Sequence, residues 1–335
     1  MTAQTISPTS AALDASKRRD EMVAFGIMAV LFAAAPLGIY PFFMMQALCF
    51  ALFACAFNLL IGYVGLLSFG HAMFLGLAGY VSAHMAKHGT IAVGPINLNF
   101  GPVDPVVAIL FGVASSAILV VITGALAIRR QGIYFAMITL ALSQMIYFFC
   151  LQAPFTGGEN GIQDVPRGRL FGLLDLSSTP VLYGFVLCIF VFGFGLVWRT
   201  VHSPFGHVLQ AIRENEARAI SLGYDADRYK LLAYVLSGAL SGLAGGTKAL
   251  VFQLATLTDV HWAMSGEVVL MTLVGGLGTL FGPVAGAAVI VTMQNHLAHL
   301  GAWVTVVQGL VFVVCVLAFR RGIVGEIARL TRRSL

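Results

Sequence analysis

Charge is scarce in this chain: Asp, Glu, Lys and Arg make up 10% of its 335 residues, against 59% hydrophobic residues. With a mean hydropathy of +0.91, the composition lies outside that of soluble domains and matches a polytopic membrane protein, where glycine is also common. Acids are nearly missing from the apolar runs. Of the 14 Asp and Glu residues only Glu267 falls within one, at its edge, whereas a proton- or sodium-coupled carrier keeps ionisable groups deep in its bundle. No group of carboxylates, His or Ser with catalytic spacing lies in or beside those runs, which argues against a membrane enzyme. The five cysteines (Cys49, Cys55, Cys150, Cys188 and Cys315) are all inside apolar runs without a C-x-x-C pair, so they read as small core hydrophobes rather than a disulfide framework or zinc site. Nor is there a G-x-x-x-x-G-K-[ST] loop: "GGLGTLFG" lacks the lysine that would reach nucleotide phosphates. Residues 1–21 do not have the pattern of a cleaved signal peptide and read as a disordered cytosolic tail. No cofactor or metal is expected.

What is present is a series of apolar blocks, at about residues 22–40, 42–61, 63–86, 106–128, 132–152, 180–198, 231–255, 266–298 and 302–319, each near or above the roughly 20 residues that cross a bilayer. Most of the 19 Lys and Arg fall into four clusters: Lys17 to Arg19, Arg129 and Arg130, Arg199 to Lys230, and Arg320 to Arg333. Placing all four in the cytoplasm puts both termini inside and requires an even number of crossings. That clustering also explains the net charge of +5 without nucleic acid. Block 266–298 restores even parity because "GGLGTLFGPVAG" divides it into a short arm, 266–276, and a fuller helix from about 279. The expected fold is therefore an all-α polytopic membrane helical bundle of about ten transmembrane segments (eight to ten), with Gly-broken or re-entrant pieces. Its permease domain runs over 22–319, and 320–335 forms a basic cytosolic tail.

One stretch departs from this oily background. "QAIRENEARAISLGYDADRYK", residues 210–230, contains Arg213, Glu214, Glu216, Arg218, Asp225, Asp227, Arg228 and Lys230. Ser203 followed by Pro204 reads as an N-cap and N1 proline, and Gly223 as a left-handed stop, so one helix is expected between them. Phe205, Val208, Leu209, Ile212, Ala219 and Ile220 would form its apolar face. Such a helix could simply rest on lipid headgroups, but acids among the bases suit a protein socket better.

Together with the residues that follow, this stretch ("AIRENEARAISLGYDADRYKLLAYVLSGALSGLAGG") resembles the cytoplasmic loop and next helix of LivM-type permeases, which belong to ATP-binding-cassette importers of branched-chain amino acids. "GYVGLLSFGHAMFLGLAGYVSAH" (62–84), "GIYFAMITLALSQMI" (132–146), "TGGENGI" (156–162) and "EVVLMTLVGGLGTLFGPVAGA" (267–287) resemble other parts of that family in the same order. The resemblance implies that segment 199–230 couples the membrane helices to an ATP-hydrolysing subunit. Arg213, Glu214, Glu216, Ala217, Arg218, Gly223, Tyr229 and Lys230 are its candidate coupling residues. Glu216, Ala217 and Gly223 correspond to the Glu, Ala and Gly of the permease loop motif, and Arg218 departs from its usual second alanine. The implied partners are a second homologous permease, two cytosolic ATPase subunits and an extracytoplasmic binding protein, with membrane lipid around the bundle, in the bacterial inner membrane.

Two Gly-interrupted apolar segments are candidates for the solute path: Gly65, Ser68, Gly70 and His71 in the first, Glu267, Gly275, Gly276 and Gly278 in the second. Close helix packing is the alternative use of these glycines. His71 reads as a satisfied core histidine or a path residue, and Asn58, Gln46 and Gln144 as interhelical hydrogen-bonding groups. Lys248 is the one base within a membrane segment. It either snorkels outward or meets a substrate carboxylate, balanced by Glu267. Glu159, Asp164, Arg167 and Arg169, in the loop 153–170, are available to a binding protein. The alternatives to a branched-chain or hydrophobic amino acid importer are the same architecture for urea or short amides, and a passive small-solute channel.

Overall fold

The computed structural model describes residues 8–93, 96–99, 103–130, 132–170, 172, 174–298, 301, 303–318 and 322–330. It is a helical bundle. The helices are α1 (Pro8–Ala34), α2 (Pro41–Tyr63), α3 (His71–His88), α4 (Pro105–Ala127), α5 (Ile133–Gln152), α6 (Thr179–Val201), α7 (Pro204–Glu214), α8 (Glu216–Ser221), α9 (Ala226–Phe252), α10 (Trp262–Gly275), α11 (Gly282–Leu297), α12 (Trp303–Ala318) and α13 (Gly322–Leu330). Among the described residues, α2, α4, α5, α6 and α9 are long and apolar enough to cross a membrane. The strands are short antiparallel pairs confined to loops, such as Ile162–Gln163 with Leu254–Ala255.

The helix starts are written locally. Proline opens α2, α4 and α7, where its missing N–H costs nothing. Asp104, Ser203, Asn215 and Asp225 cap α4, α7, α8 and α9 by accepting a backbone N–H two or three residues on. Helix α2, apolar all round, is buried along almost its whole length, as such a helix must be. Helices α3, α4 and α9 approach one another through small residues: a methyl at Gly245 would overlap the Leu75 carbonyl oxygen, and one at Gly242 would stand 2.6 Å from Ser116 Cβ. Leu110, Ile118, Ile122 and Leu126 of α4 and Met137, Met145 and Phe148 of α5 stay exposed, as a lipid-facing side requires.

Several expectations change. Block 63–86 is not one helix, since residues 64–70 form a non-helical break before α3. The division of block 266–298 is present, with α10 and α11 separated at 276–281 and spanning about 21 and 24 Å at 1.5 Å per residue, each short of a roughly 30 Å core. Residues 8–21, expected as a tail, begin α1, and residues 322–330 form α13, packed where a side chain at Gly322 would overlap the backbone of Gly276. Residues 1–7, 320, 321 and 331–335 of the two expected tails lie outside the described residues. Cys49, Cys55 and Cys150 are buried, but Cys188 is exposed on α6, so it is not a core residue within this chain.

Candidate functional site

The charged segment is an elbow of two helices. Asn215 takes an extended conformation (φ −156°, ψ 96°), ends α7 and caps α8. This break rotates α8 relative to the single expected helix. Leu209, Ile212 and Ala219 are buried, but Ile220 turns outward to join Leu222 and Tyr224 as exposed apolar groups at 54%, 70% and 41% exposure. Glu214, Ala217, Arg218, Asp227 and Arg228 are exposed around them. Gly223, at φ +91°, is the left-handed stop that a residue with a Cβ would resist. Tyr229 holds the elbow from inside, stacked on Phe205 with ring centroids 5.5 Å apart.

Two expected coupling residues serve the elbow's own packing. Lys230 is 2% exposed, and its Nζ donates to Glu216 Oε1 at 2.6 Å. Glu216 and Lys230 therefore fasten α8 to the start of α9 and are spent on each other. Arg213 reaches the other way. Its Nη1 donates to the carbonyl of Gly62 at the end of α2. A methyl at Gly65 would stand 3.1 Å from its Cγ, and one at Gly278 would stand 3.3 Å from its Nη1. A further tie, His202 Nε2 to Glu21 at 2.6 Å, joins α1 to the corner between α6 and α7.

The two Gly-rich breaks are brought together under Arg213. Asn58 of α2 spans the gap: its Nδ2 donates to Thr279 O at 2.9 Å, and its Oδ1 accepts from Gly278 N at 3.1 Å. Both ends of the amide meet complementary groups, which fixes its orientation. Asn58 is interhelical glue, as its position in an apolar run suggested. Gly65 (φ +82°) and Gly278 (φ +74°) need left-handed backbone. Gly70, Gly275 and Gly286 serve close approach, against the carbonyls of Thr139, Gly282 and Met271.

Ser68 and His71 lie deeper and are fully buried. Ser237 Oγ donates its one proton to Ala56 O at 2.5 Å, so His71 Nε2, 2.8 Å away, must carry the hydrogen that Ser237 accepts. Edge-to-face contacts with Phe57, Phe74 and Tyr234 enclose the imidazole. His71 is thus a core residue joining α2, α3 and α9 in this conformation.

At the far end of α9, Lys248 does not snorkel and is not balanced by Glu267. Its Nζ binds Asp259 Oδ1, with side chains 17% and 13% exposed, and lies 5.0 Å from the Phe50 ring centre. Glu267 accepts instead from Gln294 Nε2 at 3.1 Å. Asp259 belongs to a strap, residues 253–261, that the sequence did not mark as special. Strand pairing of Ile162–Gln163 with Leu254–Ala255 and a Gln253 to Val165 O bond at 3.1 Å fasten that strap to the loop after α5. Arg167 in that loop is engaged, donating to Val251 O at 2.9 Å over the Phe42 ring, and burial pulls its pKa below the ordinary arginine value. Glu159, Asp164 and Arg169 are exposed. Among the described residues no group of His, Cys, Asp or Glu is arranged to hold a metal ion. A narrow apolar cleft lies between α2, α6 and α9, lined by Leu48, Cys49, Leu52, Phe190 and Ala244 among others.

A sequence model of the family described as "Branched-chain amino acid transport system / permease component" matches residues 39–316. The chain is 26% identical over 261 residues to the high-affinity branched-chain amino acid transport system permease protein LivM of Salmonella typhimurium, and equally to that of Escherichia coli. Each match covers 71% of this chain and 59% of the relative, so the chain spans less than two thirds of the LivM proteins. The ribose import permease protein RbsC of Bacillus subtilis is 28% identical over 277 residues, covering 77% of this chain and 81% of that protein. No solved structure gave a significant match.

Proposed function

The chain belongs to the permease-component family of branched-chain amino acid transport systems, and from that premise we propose that it is the membrane subunit of an ATP-driven importer of branched-chain or other hydrophobic amino acids. A second permease completes the path in the bacterial inner membrane, two cytosolic ATPase subunits drive it, and an extracytoplasmic binding protein delivers the solute. The chain brings no nucleotide loop of its own. Transport runs on two conformations whose relative stability the partners change.

One observation carries this reading. A membrane bundle has presented, outside its apolar helices, an elbow whose exposed face combines Ile220, Leu222 and Tyr224 with charges of both signs. Lipid headgroups would favour a mostly basic face, and water would favour no apolar cluster, so a protein socket fits it best. Glu214 and Arg218 contribute to the rim of that face, while Glu216 and Lys230 keep it in shape. The positive-inside rule places the elbow and both termini in the cytoplasm. Glu159, Asp164 and Arg169, beyond the opposite end of α9, then face the binding protein.

The name of the LivM relatives supports branched-chain amino acids, and the ribose permease relative shows how widely such chains have diverged in solute. The test is uptake in proteoliposomes containing the complex purified from its native membrane, with leucine, urea and ribose as labelled solutes. Leucine uptake that requires both ATP and the co-purified binding protein is the expected result. ATP-dependent uptake of urea alone would replace the substrate, and equilibration without ATP would replace the importer with a channel.

A further inference from the structure

Resting on the importer reading, we propose that Arg213 and Asn58 form the relay by which the elbow moves the two glycine-rich breaks, so that Arg213, although exposed, is a positioning residue bound to the permease's own backbone and not a docking residue. The geometry is specific. Arg213 leaves the elbow and donates to the carbonyl of Gly62. Gly62 lies among the last four residues of α2, whose carbonyls lack intrahelical partners and carry the negative end of the helix dipole, so a guanidinium is the group best suited to hold it. The stem of the same side chain lies over Gly65 in the first break, and its head lies beside Gly278 in the second.

From Gly62 the connection continues without slack. A methyl there would stand 2.9 Å from Gly278 N, so α2 and the second break are in backbone contact. Asn58, one turn earlier, holds that break by a donor and an acceptor at once. The break is itself a fastened turn: Thr279 Oγ1 donates to Gly276 O at 2.8 Å and accepts from Gly282 N at 3.1 Å. A displacement of α7 therefore reaches residues 276–281 through two hydrogen-bonding side chains and one helix end. The apolar contacts of the elbow supply only part of this link: Leu209 shares a core cluster with Val64 and Leu66 of the first break, and Ile212 and Ala219 pack with Ala226 at the start of α9. Arg213 joins the elbow to both breaks, and it does so with a directional bond that can be made in one conformation and remade in another.

The test uses the whole complex from its native membrane, in detergent, with a reporter cysteine placed by Leu277→Cys in the second break, where the native side chain is 38% exposed. Its rate of modification by a soluble maleimide is measured with and without ATP, against the chain that lacks the added cysteine. With Arg213 present, ATP is expected to change that rate. Arg213→Ala is expected to retain the ATPase subunits at the same stoichiometry and to hydrolyse ATP, while the ATP-dependent change in labelling falls about tenfold, within the range seen for substitutions along a coupling network. Arg213→Lys, which keeps a charged donor, is expected to recover part of the response. An unchanged response in Arg213→Ala would overturn the relay and leave the importer intact. Loss of the ATPase subunits from Arg213→Ala would also overturn it, since Arg213 would then be a docking residue. If the unsubstituted chain brings down no ATPase subunit, the importer reading fails first and the relay falls with it.

Discussion

Helix α9 has a lysine near each end, and each lysine is paired with an acid from the segment beyond that end: Lys230 with Glu216 and Lys248 with Asp259. The pairs look alike, but their surroundings differ. Around Lys230 the ion pair and the packing of Ala219 against Ala226 join α8 to α9, and they support a segment whose outer face is left exposed and apolar. Around Lys248 the strap is also held by strand pairing, by Gln253 on Val165, and by the close fit of Val260 against Gly76. The difference lies in the kind of tie and in what is left outside: the elbow is held by side chains and leaves an apolar face exposed, whereas the strap is also held by backbone pairing. On the proposed importer reading, the same chemistry serves a movable joint at one end and a cap at the other.

That contrast breaks down if the two ends respond equally to loss of the pair. Glu216→Ala leaves Lys230 buried without a partner, and is expected to lower stability by about 3 kcal/mol, the cost of halving a buried pair. Thermal unfolding of the purified protein reads it, and adding Lys230→Met should return most of the loss. Next comes Gly286→Ala, which drives a methyl into the Met271 carbonyl and is expected to cost about 2–3 kcal/mol by overpacking. The same assay, with unchanged stability as the contrary result, tests whether α10 and α11 need their glycines. Lys248→Met is expected to cost less, about 1–2 kcal/mol, because the strap retains its other fasteners and Asp259 can turn toward solvent. Protease resistance of the strap should persist; cleavage near residue 256 would make this end a joint as well. The smallest effect is that of Gly223→Ala, about 1 kcal/mol for a left-handed residue gaining a Cβ, visible as a slight fall in melting temperature with transport retained.

Much of this was legible before any coordinates. Hydropathy marks α2, α4, α5, α6 and α9, and the glycines at 275–278 mark the division of α10 from α11, because both signals are local. The elbow was legible as a charged segment but not as two helices. Asn215 followed by Glu216 is an N-cap signal, yet inside an amphipathic pattern it reads as one more polar residue. The path candidates fared according to how far away their partners lie in the sequence. That Lys248 would meet Asp259 and not Glu267 depends on the strap folding back, and irregular segments leave no periodic trace. Helical periodicity groups Arg213 with the docking charges, because it sorts residues by polarity, not by reach. The target of Arg213, a backbone carbonyl 151 residues away, has no signature in any side chain.

The central claim is that the elbow's exposed face receives an ATPase subunit. The measurement that tests it most directly is recovery of the protein from its native membrane in detergent, as the unsubstituted chain and as Leu222→Asp, with identification of what accompanies each. Leu222 is 70% exposed, so the substitution should leave the fold unchanged. The account predicts an ATP-hydrolysing subunit with the unsubstituted chain and its loss from the equally stable variant. An unsubstituted chain recovered alone, passing solute across liposomes without ATP, would contradict it.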